Sequence, residues 1–258
     1  MDSCLKGMSL RAYTIFGLGY KAQIPLPPED PLQPGFGAGT HKTPNPLTFA
    51  GPLPMIPSMN RVNRVYLVRH GQVVGYENVP VYGHTDVELT EVGRLQTEHL
   101  ARRLRLTPIH AIYCSDLKRS AVGAQIIARY HDVPVHVLPE FREVYFGDWE
   151  GLSLQEIHEQ FPEELERRKQ ALTTFRAPGN GESVAHLSER ILSCYHKILE
   201  QQQGRDFLIV GHGAVNRVIL CDALGLDLAR MFHLHQDYGC LNIIDYFSDS
   251  TLVRLVNG

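Results

Sequence analysis

Three polar motifs that could carry out chemistry each follow a short apolar run that is typical of a buried β-strand. They are Arg69-His70-Gly71, the segment from Ser115 to Arg119, and Gly211-His212-Gly213. Arginine binds phosphate through bidentate, charge-assisted hydrogen bonds, and glycines let backbone N–H groups approach the phosphate oxygens. The chain has 13 histidines, so any single His-Gly pair is most simply an ordinary turn. The three motifs together predict phosphoryl chemistry.

The two histidines are expected to play different parts in that chemistry. Neighbouring cations favour the neutral form of His70, which can then attack phosphorus at neutral pH. His212 could instead be protonated and hydrogen-bond the phosphate oxygens as they gain charge in the transition state. The sequence leaves open which of the two rings is neutral.

A phosphate ester also needs a proton donor for its departing oxygen. We favour Glu143, which precedes Tyr145-Phe146-Gly147, an apolar pair before a turn glycine. Partial burial there would raise the pKa of the Glu143 carboxyl enough for it to act as an acid. The competing acids are Glu140, Asp148 and Glu150, and each of the four could equally be a solvated loop charge.

The elements that must position these residues alternate between short apolar runs and helical patterns. This alternation predicts an α/β fold with a mostly parallel sheet and helices on both faces. Strands are predicted at Val65–Val68, Ile109–Cys114, Val135–Val137 and Phe207–Val210, and an antiparallel edge hairpin at Leu241–Phe247 and Leu252–Val256. Helices are predicted at 90–104, 117–130, 154–161, 163–169, 184–202 and 214–224. The carboxyl ends of parallel strands share one edge of a sheet, so the three motifs are expected to converge there.

The first of these helices has a recognisable start and a predicted buried face. Thr90 can cap its N-terminus. The face expected to pack against the sheet consists of Val92, Leu95, His99, Leu100 and Leu104.

Composition restricts the classes of protein that fit this chain. With 258 residues, 43% apolar and 21% charged, one sizeable globular domain with an extension is expected. The net charge of −3 and the dispersed basic residues do not indicate a nucleic-acid partner. No apolar run approaches the roughly 20 residues that span a membrane. The five widely spaced cysteines lack a Cys-x-x-Cys pair, which argues against a disulfide framework or a zinc site and favours the cytoplasm.

The N-terminal part of the chain differs in composition from the rest. Residues 23–58 hold many of the 16 prolines and few periodic apolar positions, so they cannot bury enough surface to offset the entropy of ordering. We predict a poorly ordered tail at residues 1–60 and one catalytic domain at 61–258. Met59 directly precedes the first strand, and a translation start at Met59 is an equally favoured alternative.

Six blocks of sequence together resemble the histidine phosphatase superfamily, over about residues 62–256. The blocks are Leu67–Gln72, Gly83–Asp86 with Leu89–Gly93, Ser115–Arg119, Glu143–Gly151, Gly181–Ser183 and Gly211–Gly213. The resemblance implies a phosphoglycerate mutase-like fold, a phosphohistidine at His70, proton donation from Glu143, and neither metal nor cofactor. It implies substrate contacts from Arg69, Gly71, Gln72, Gly83, Arg119, His212 and Gly213.

Within this superfamily, segments 141–151 and 178–183 are most similar to the α-ribazole phosphatase branch. The resemblance therefore implies a phosphomonoesterase for a small phosphate ester, with α-ribazole 5'-phosphate as one candidate. The alternative is a cofactor-dependent phosphoglycerate mutase. Leu154 in place of the lysine of mutases, and a catalytic part of only about 195 residues, favour hydrolysis. Arg167-Arg168 resembles a paired arginine of mutases, but we interpret it as part of a solvated, charged helix.

A third hypothesis is a module that binds phosphate without turnover. The complete set of nucleophile and acid argues against it. Val73 and Tyr82 depart from the pattern of the superfamily, so the shape of the pocket around the leaving group is not predicted. A homodimer is compatible with the sequence, which does not decide the oligomeric state.

Overall fold

The computed structural model describes residues 60–78 and 80–258. Apart from Asn60, the predicted tail lies outside the described residues, and so does the alternative start at Met59. The strands of the described chain are β1 (Arg61–Arg69), β2 (Ile112–Cys114), β3 (Val135–Val137), β4 (Phe207–Gly211), β5 (Leu241–Phe247) and β6 (Thr251–Leu255).

These strands form one sheet in the order β3-β2-β4-β1-β5-β6. The first four in this order are parallel to one another, whereas β5 runs antiparallel to β1 and β6 antiparallel to β5. The predicted mostly parallel sheet with an antiparallel edge hairpin is confirmed. Because β1 and β4 are neighbours in register from Val65 and Phe207 to Arg69 and Gly211, the motifs that follow them begin side by side.

β1 begins four residues earlier than the apolar run that predicted it. The apolar pattern did not predict this extension, because it contains polar side chains whose hydrogen-bond partners are distant in sequence. Asn63 donates to the backbone carbonyls of Gln202 and Arg205, and Arg64 forms an ion pair of 2.6 Å with the buried Asp245.

The α-helices of the described residues lie close to their predicted positions. They are α1 (Glu91–Leu104), α2 (Lys118–Ala128), α3 (Leu154–Gln160), α4 (Pro162–Gln170), α5 (Val184–Gln201) and α6 (Gly213–Leu224). Short 3₁₀ helices occupy Tyr76–Asn78, Pro139–Phe141, Gly147–Trp149 and Leu228–His233. No helix within this described part of the chain is both long enough and apolar enough to cross a membrane.

Helices cover both faces of the sheet, as predicted. Alternate residues of a strand point to opposite faces, and this alternation divides the core in two. On one face Val65, Leu67, Phe207 and Ile209 pack with residues of α5 and α6. On the other face Tyr66, Val68, Leu208 and Val210 pack with residues of α1 and α2.

The predicted start of α1 is confirmed, but its predicted buried face is partly wrong. Thr90 Oγ1 accepts a hydrogen bond of 2.9 Å from Gly93 N–H. The buried residues are Gly93, Thr97, Leu100, Ala101 and Leu104, whereas Val92 and Leu95 are 50% and 58% exposed. A Cβ on Gly93 would lie 2.1 Å from the carbonyl oxygen of Gln72. The helix therefore contacts the motif after β1 through its smallest residue, and this contact turns Val92 and Leu95 outward.

A third, smaller core supports α3 and α4. Its buried members are Val81, Trp149, Ile157, Leu165 and Ala177, and Leu154 is partly buried against them. Trp149 is fully buried and lies 5.4 Å from Phe175 between ring centroids, with the rings nearly parallel. This core packs α3 and α4 against the segments that contain Val81, Trp149 and Ala177.

Candidate active site

A cavity lies at the carboxyl ends of the parallel strands. Five of the predicted site residues line it: Arg69, His70, Arg119, Glu143 and Gly213. His212 lies against His70, with ring centroids 5.1 Å apart and the rings edge to face. The structure therefore brings together the five residues for which we predicted chemical roles.

The position of His70 defines which ring nitrogen can react. Its Nδ1 lies 2.8 Å from the carbonyl oxygen of Gly71, and a carbonyl can only accept, so Nδ1 carries the hydrogen. The lone pair of the neutral ring is then on Nε2. Burial, and after it the positive charges of Arg119 and Arg69, hold the pKa of His70 well below its usual range. The ring is therefore neutral at physiological pH.

His212 is also neutral in the ligand-free site, whereas the sequence left open whether this ring is neutral or protonated. It is fully buried. Burial, followed by the charge of Arg119, lowers its pKa well below the usual range. Its Nε2 lies 2.8 Å from Ser115 Oγ, while Nδ1 has no hydrogen-bond partner among the residues that the structure describes.

Arg69 is held by a turn that the sequence did not reveal. Its Nη1 donates to the carbonyl oxygen of Gln236 at 2.6 Å, and its guanidinium carbon lies 4.1 Å from the ring centroid of Tyr238. Gln236 is buried, and its side chain exchanges hydrogen bonds of 2.8 Å with the amide of Asn242 on β5. The position of Arg69 is therefore fixed by Gln236, which is itself hydrogen-bonded to Asn242 in the sheet.

Arg119 is buried, with 1% of its surface exposed. Its Nη2 donates to the carbonyl oxygen of Gly83 at 2.5 Å and its Nη1 to that of Thr85 at 2.7 Å. These two bonds orient the guanidinium at the cavity wall. Gly83 was predicted to contact substrate, but it does not line the cavity, and its N–H donates to the Glu150 carboxylate.

Gly71 and Gln72, also predicted to contact substrate, do not line the cavity either. Gly71 supplies the carbonyl that accepts from His70. Gln72 N–H donates to Gln96 Oε1 at 2.9 Å, and its side-chain oxygen accepts from Thr90 Oγ1 at 2.8 Å. In the ligand-free protein these two residues support the His70 ring and the N-terminus of α1.

Glu143 is the only cavity-lining member of the four acids considered above. Its Oε1 accepts from Val144 N–H at 2.9 Å and its Oε2 from Ala214 N–H, in the first turn of α6, at 3.0 Å. The competing acids Glu140 and Asp148 are exposed, and the carboxylate of Glu150 is occupied by backbone donors. The two bonds to Glu143 fix the orientation of its carboxylate.

Gly213 keeps open the space in which three functional groups meet. A Cβ at this position would lie 3.1 Å from Arg217 Nη1, 3.6 Å from Glu143 Oε2 and 3.7 Å from the guanidinium carbon of Arg69. A larger residue would fill the volume that these groups surround. The predicted substrate contact at Gly213 is consistent with this position.

Arg168 contradicts our interpretation of the α4 charges as solvated. Arg167 is largely exposed and pairs with Glu164 at 2.7 Å, but Arg168 is 5% exposed and lines the cavity. The reason is that α4 buries the face of Leu165, and a residue three positions later lies on the same face. Burial lowers the pKa of Arg168 to about 10, so the side chain stays cationic at neutral pH.

Arg217 was also missed, although its position four residues after Gly213 on a predicted helix is a usable signal. It lines the cavity and donates from Nη1 to the Gly213 carbonyl at 3.0 Å and from Nε to the Leu234 carbonyl at 2.8 Å. Burial lowers its pKa to about 10. The guanidinium carbons of Arg168 and Arg217 lie 6.0 and 5.5 Å from the centroid of the Phe232 ring.

The cavity wall thus combines four arginines with one carboxylate, and the rest is largely apolar and aromatic. The apolar and aromatic lining residues include Val73, Val81, Tyr82, Phe146, Phe232 and Tyr238. Such a cavity favours an anion attached to a less polar group. Across residues 60–78 and 80–258, no group of three or more histidine, cysteine, aspartate or glutamate side chains is placed to hold a metal ion.

The lowered pKa of His70 predicts a specific loss of stability in mild acid. An unfolded histidine titrates near pH 6.5, so below this pH the unfolded chain binds a proton that the native ring does not. The native state then loses about 1.4 kcal/mol per pH unit for each such ring, until the native pKa is reached. The free energy of unfolding in urea should fall from pH 7 to 5.5 less steeply for His70→Gln than for the wild type.

The exposed His99 offers a matched control for this measurement. His99→Gln should retain the wild-type slope, because the side chain of His99 is exposed to solvent. His212, His84 and His131, whose pKa values are also lowered mainly by burial, are present in all three proteins. Equal slopes for the wild type and His70→Gln would contradict a neutral, buried His70.

Residues 65–258 match a family model described as histidine phosphatase superfamily (branch 1). The chain is 29% identical over 196 residues to an adenosylcobalamin/alpha-ribazole phosphatase of Salmonella typhimurium, over 75% of this chain and 96% of that relative. It is 32% identical over 163 residues to a metal-independent phosphoserine phosphatase of Arabidopsis thaliana, over 62% of this chain and 68% of the relative. The crystal structure of the alpha-ribazole phosphatase from Shigella flexneri matches with a TM-score of 0.69 and 27% identity, covering 76% of this chain and 96% of that one. The chain belongs to the histidine phosphatase superfamily.

Proposed function

We propose that the chain is a metal-independent phosphomonoesterase that forms a phosphohistidine at His70. The observation that carries the proposal is the juxtaposition of a neutral, buried His70 with Arg69, Arg119 and Glu143 at one cavity. The arginines supply the positive charge that metal ions provide in many other phosphoryl-transfer sites. The Salmonella relative is named as a phosphatase and the Arabidopsis relative as a metal-independent phosphatase, which supports hydrolysis of a phosphate ester without a metal ion.

The first step transfers the phosphoryl group to the enzyme. The phosphate binds between Arg69 and Arg119, and the lone pair on His70 Nε2 forms a bond to phosphorus as the bond to the ester oxygen breaks. Glu143, in its protonated form, gives its proton to the departing oxygen. The alcohol then leaves.

The second step returns the enzyme to its starting state. Glu143, now a carboxylate, accepts a proton from water as that water attacks the phosphohistidine. The bond between phosphorus and His70 Nε2 breaks, its electron pair returns to the ring, and orthophosphate leaves. The same two side chains therefore serve both steps in opposite directions.

His212 acts in this mechanism as a neutral hydrogen-bond donor. Ser115 Oγ accepts a weak bond of 3.4 Å from Leu117 N–H, so its own hydrogen is available for His212 Nε2. That arrangement leaves the ring hydrogen on Nδ1, the atom without a partner among the described residues. From there it can donate to a phosphate oxygen, a bond that strengthens as charge builds in the transition state.

We expect His70→Ala to lower the hydrolysis of p-nitrophenyl phosphate by on the order of 10⁴-fold, because the covalent route is lost. The assay contains EDTA, so that activity of the wild type also tests metal independence. Acid-labile labelling by a ³²P-labelled substrate should occur in the wild type and be absent from His70→Ala. The exposed-site variant His99→Ala should match the wild type in both assays. Full activity of His70→Ala would refute the mechanism.

The substrate is a small phosphate ester, and two structural features favour different classes of it. The aromatic and apolar walls suit an ester such as α-ribazole 5'-phosphate, whose only anionic group is its phosphate. Arg168 and Arg217 instead favour a leaving part that carries a second anion. The two classes differ in whether they need the arginine on α4.

Arg168→Ala separates these classes. For 3-phosphoglycerate, which carries a carboxylate beside its phosphate, we expect KM to rise at least 10-fold, because a hydrogen bond to a charged group contributes about 1.5–3 kcal/mol. For p-nitrophenyl phosphate KM should change less than 3-fold. Arg167→Ala, one position away and exposed, is the matched control and should leave both values unchanged. An equal effect on both substrates would exclude a second anion site at Arg168 and favour singly phosphorylated, otherwise neutral substrates.

A phosphoglycerate mutase remains the second candidate, because Arg168 lies in the cavity rather than in solvent. Leu154 supports hydrolysis, since it packs in the third core and adds no cation. We expect the enzyme, after priming with 2,3-bisphosphoglycerate, to release orthophosphate from 3-phosphoglycerate faster than it forms 2-phosphoglycerate. ³¹P NMR follows both products in one sample. Isomerisation that outpaces hydrolysis would identify a mutase.

A further inference from the structure

The segment from Gly83 to Thr85, here called the bracket, contacts the two sides of the active site without lining the cavity. On one side, the carbonyls of Gly83 and Thr85 accept the two hydrogen bonds from Arg119. On the other side, His84 Nε2 lies 3.0 Å from the carbonyl oxygen of Glu143. The bracket therefore joins the arginine that binds phosphate to the residue that donates the proton.

The bracket is itself held by one carboxylate, that of Glu150. Glu150 Oε2 accepts from Gly83 N–H at 3.3 Å, from Thr85 N–H at 2.8 Å and from Thr85 Oγ1 at 2.5 Å. Glu150 Oε1 accepts from His84 N–H and from Phe146 N–H, both at 3.0 Å. A carboxylate has about four lone-pair positions, so five donors saturate it.

The charges on the two sides of the bracket explain its geometry. Its N–H groups point to the anion of Glu150, and two of its carbonyls point to the cation of Arg119. Hydrogen bonds to ionised groups are about twice as strong as neutral ones. Gly83 is required for this approach, because a Cβ there would lie 2.3 Å from Glu150 Oε1 and 2.1 Å from the Val144 carbonyl.

We propose that Glu150 is a positioning residue: its carboxylate fixes the bracket, and the bracket in turn orients Arg119 toward the substrate phosphate and holds the backbone of Glu143. Glu150 itself does not line the cavity, so it acts only through these neighbours. The inference rests on the proposed function, because it requires Arg119 to bind phosphate.

Glu150→Gln tests this role, because glutamine has the same shape but places N–H donors against the N–H groups of the bracket. Orthophosphate binding, measured by titration calorimetry, should weaken about 10-fold. The kcat/KM for p-nitrophenyl phosphate should fall on the order of 100-fold, as expected when a catalytic group shifts by about 1 Å. Glu156→Gln, which makes the same change at an exposed helix cap, should leave both values unchanged.

A double-mutant cycle distinguishes positioning from a general loss of structure. Arg119→Lys lacks the planar fork that the bracket holds. In an Arg119→Lys background, Glu150→Gln should therefore weaken orthophosphate binding by less than 2-fold. A loss that again reaches 10-fold would show that Glu150 acts independently of Arg119 and would overturn the proposal.

Two further outcomes are informative. If the wild type binds no orthophosphate, the proposed function fails and the positioning role falls with it. If the wild type binds and Glu150→Gln binds equally well, only the positioning role is refuted. Should Glu150→Gln melt before the assay temperature, Thr85→Val removes a single donor to Glu150 and keeps the backbone bonds. It should weaken orthophosphate binding about 3-fold, and unchanged affinity would overturn the proposal.

Discussion

The active site depends on burying four guanidinium groups around one cavity whose lining includes a single carboxylate, that of Glu143. A buried charge must be hydrogen-bonded to be tolerated. Here backbone carbonyls provide much of that support: Gln236 for Arg69, Gly83 and Thr85 for Arg119, and Leu234 and Gly213 for Arg217. Carbonyls are dipoles without net charge, so they satisfy the donors and leave the positive potential in the cavity. The turns that present these carbonyls are therefore as much part of the site as the arginines.

This positive potential also sets the state of the histidines. Burial and the nearby arginines disfavour a further positive charge, which keeps the rings of His70 and His212 neutral. The same repulsion destabilises the ligand-free protein, and a phosphate dianion relieves it. The buried positive charges therefore lower the free energy of unfolding of the protein below the value that its hydrophobic cores would give. Such a trade between stability and activity is common at active sites.

The parts of this arrangement that depend on local sequence could be predicted, and the parts that depend on tertiary contacts could not. The motifs of His70, Arg119 and His212 follow buried strands, and the shared edge of a parallel sheet then brings them together. Arg168 escaped prediction because its neighbouring charges have the same i,i+4 spacing on a solvated helix as on a buried one. Only the third core, through Leu165, determines which face of α4 is covered.

Two other differences from the sequence predictions have the same physical origin. The face of α1 is set by the close approach of Gly93 to the backbone of Gln72, a contact that hydrophobic periodicity cannot report. The resemblance to the superfamily implied that Gly83 contacts substrate, and its actual partner, the carboxylate of Glu150, lies 67 residues away in the chain and could not be predicted. In each case a backbone contact between segments that are distant in the chain determines the structure, and the pattern of side chains along one segment does not predict that contact.

The third core, which is separate from the two cores against the sheet, influences whether water or a second substrate accepts the phosphoryl group in the proposed mechanism. His70 and Glu143 are held by β1, β4 and the start of α6, whereas Arg168 lies on α4, which packs in the third core. Substitutions on α3 and α4 can therefore change the charge of the outer part of the cavity without changing the residues at the sheet edge. Leu154 illustrates this, because its side chain packs into that core and brings no cation to the phosphoryl group. In the proposed mechanism the third core therefore favours hydrolysis, and the phosphohistidine step is the same whether water or a second substrate accepts the phosphoryl group.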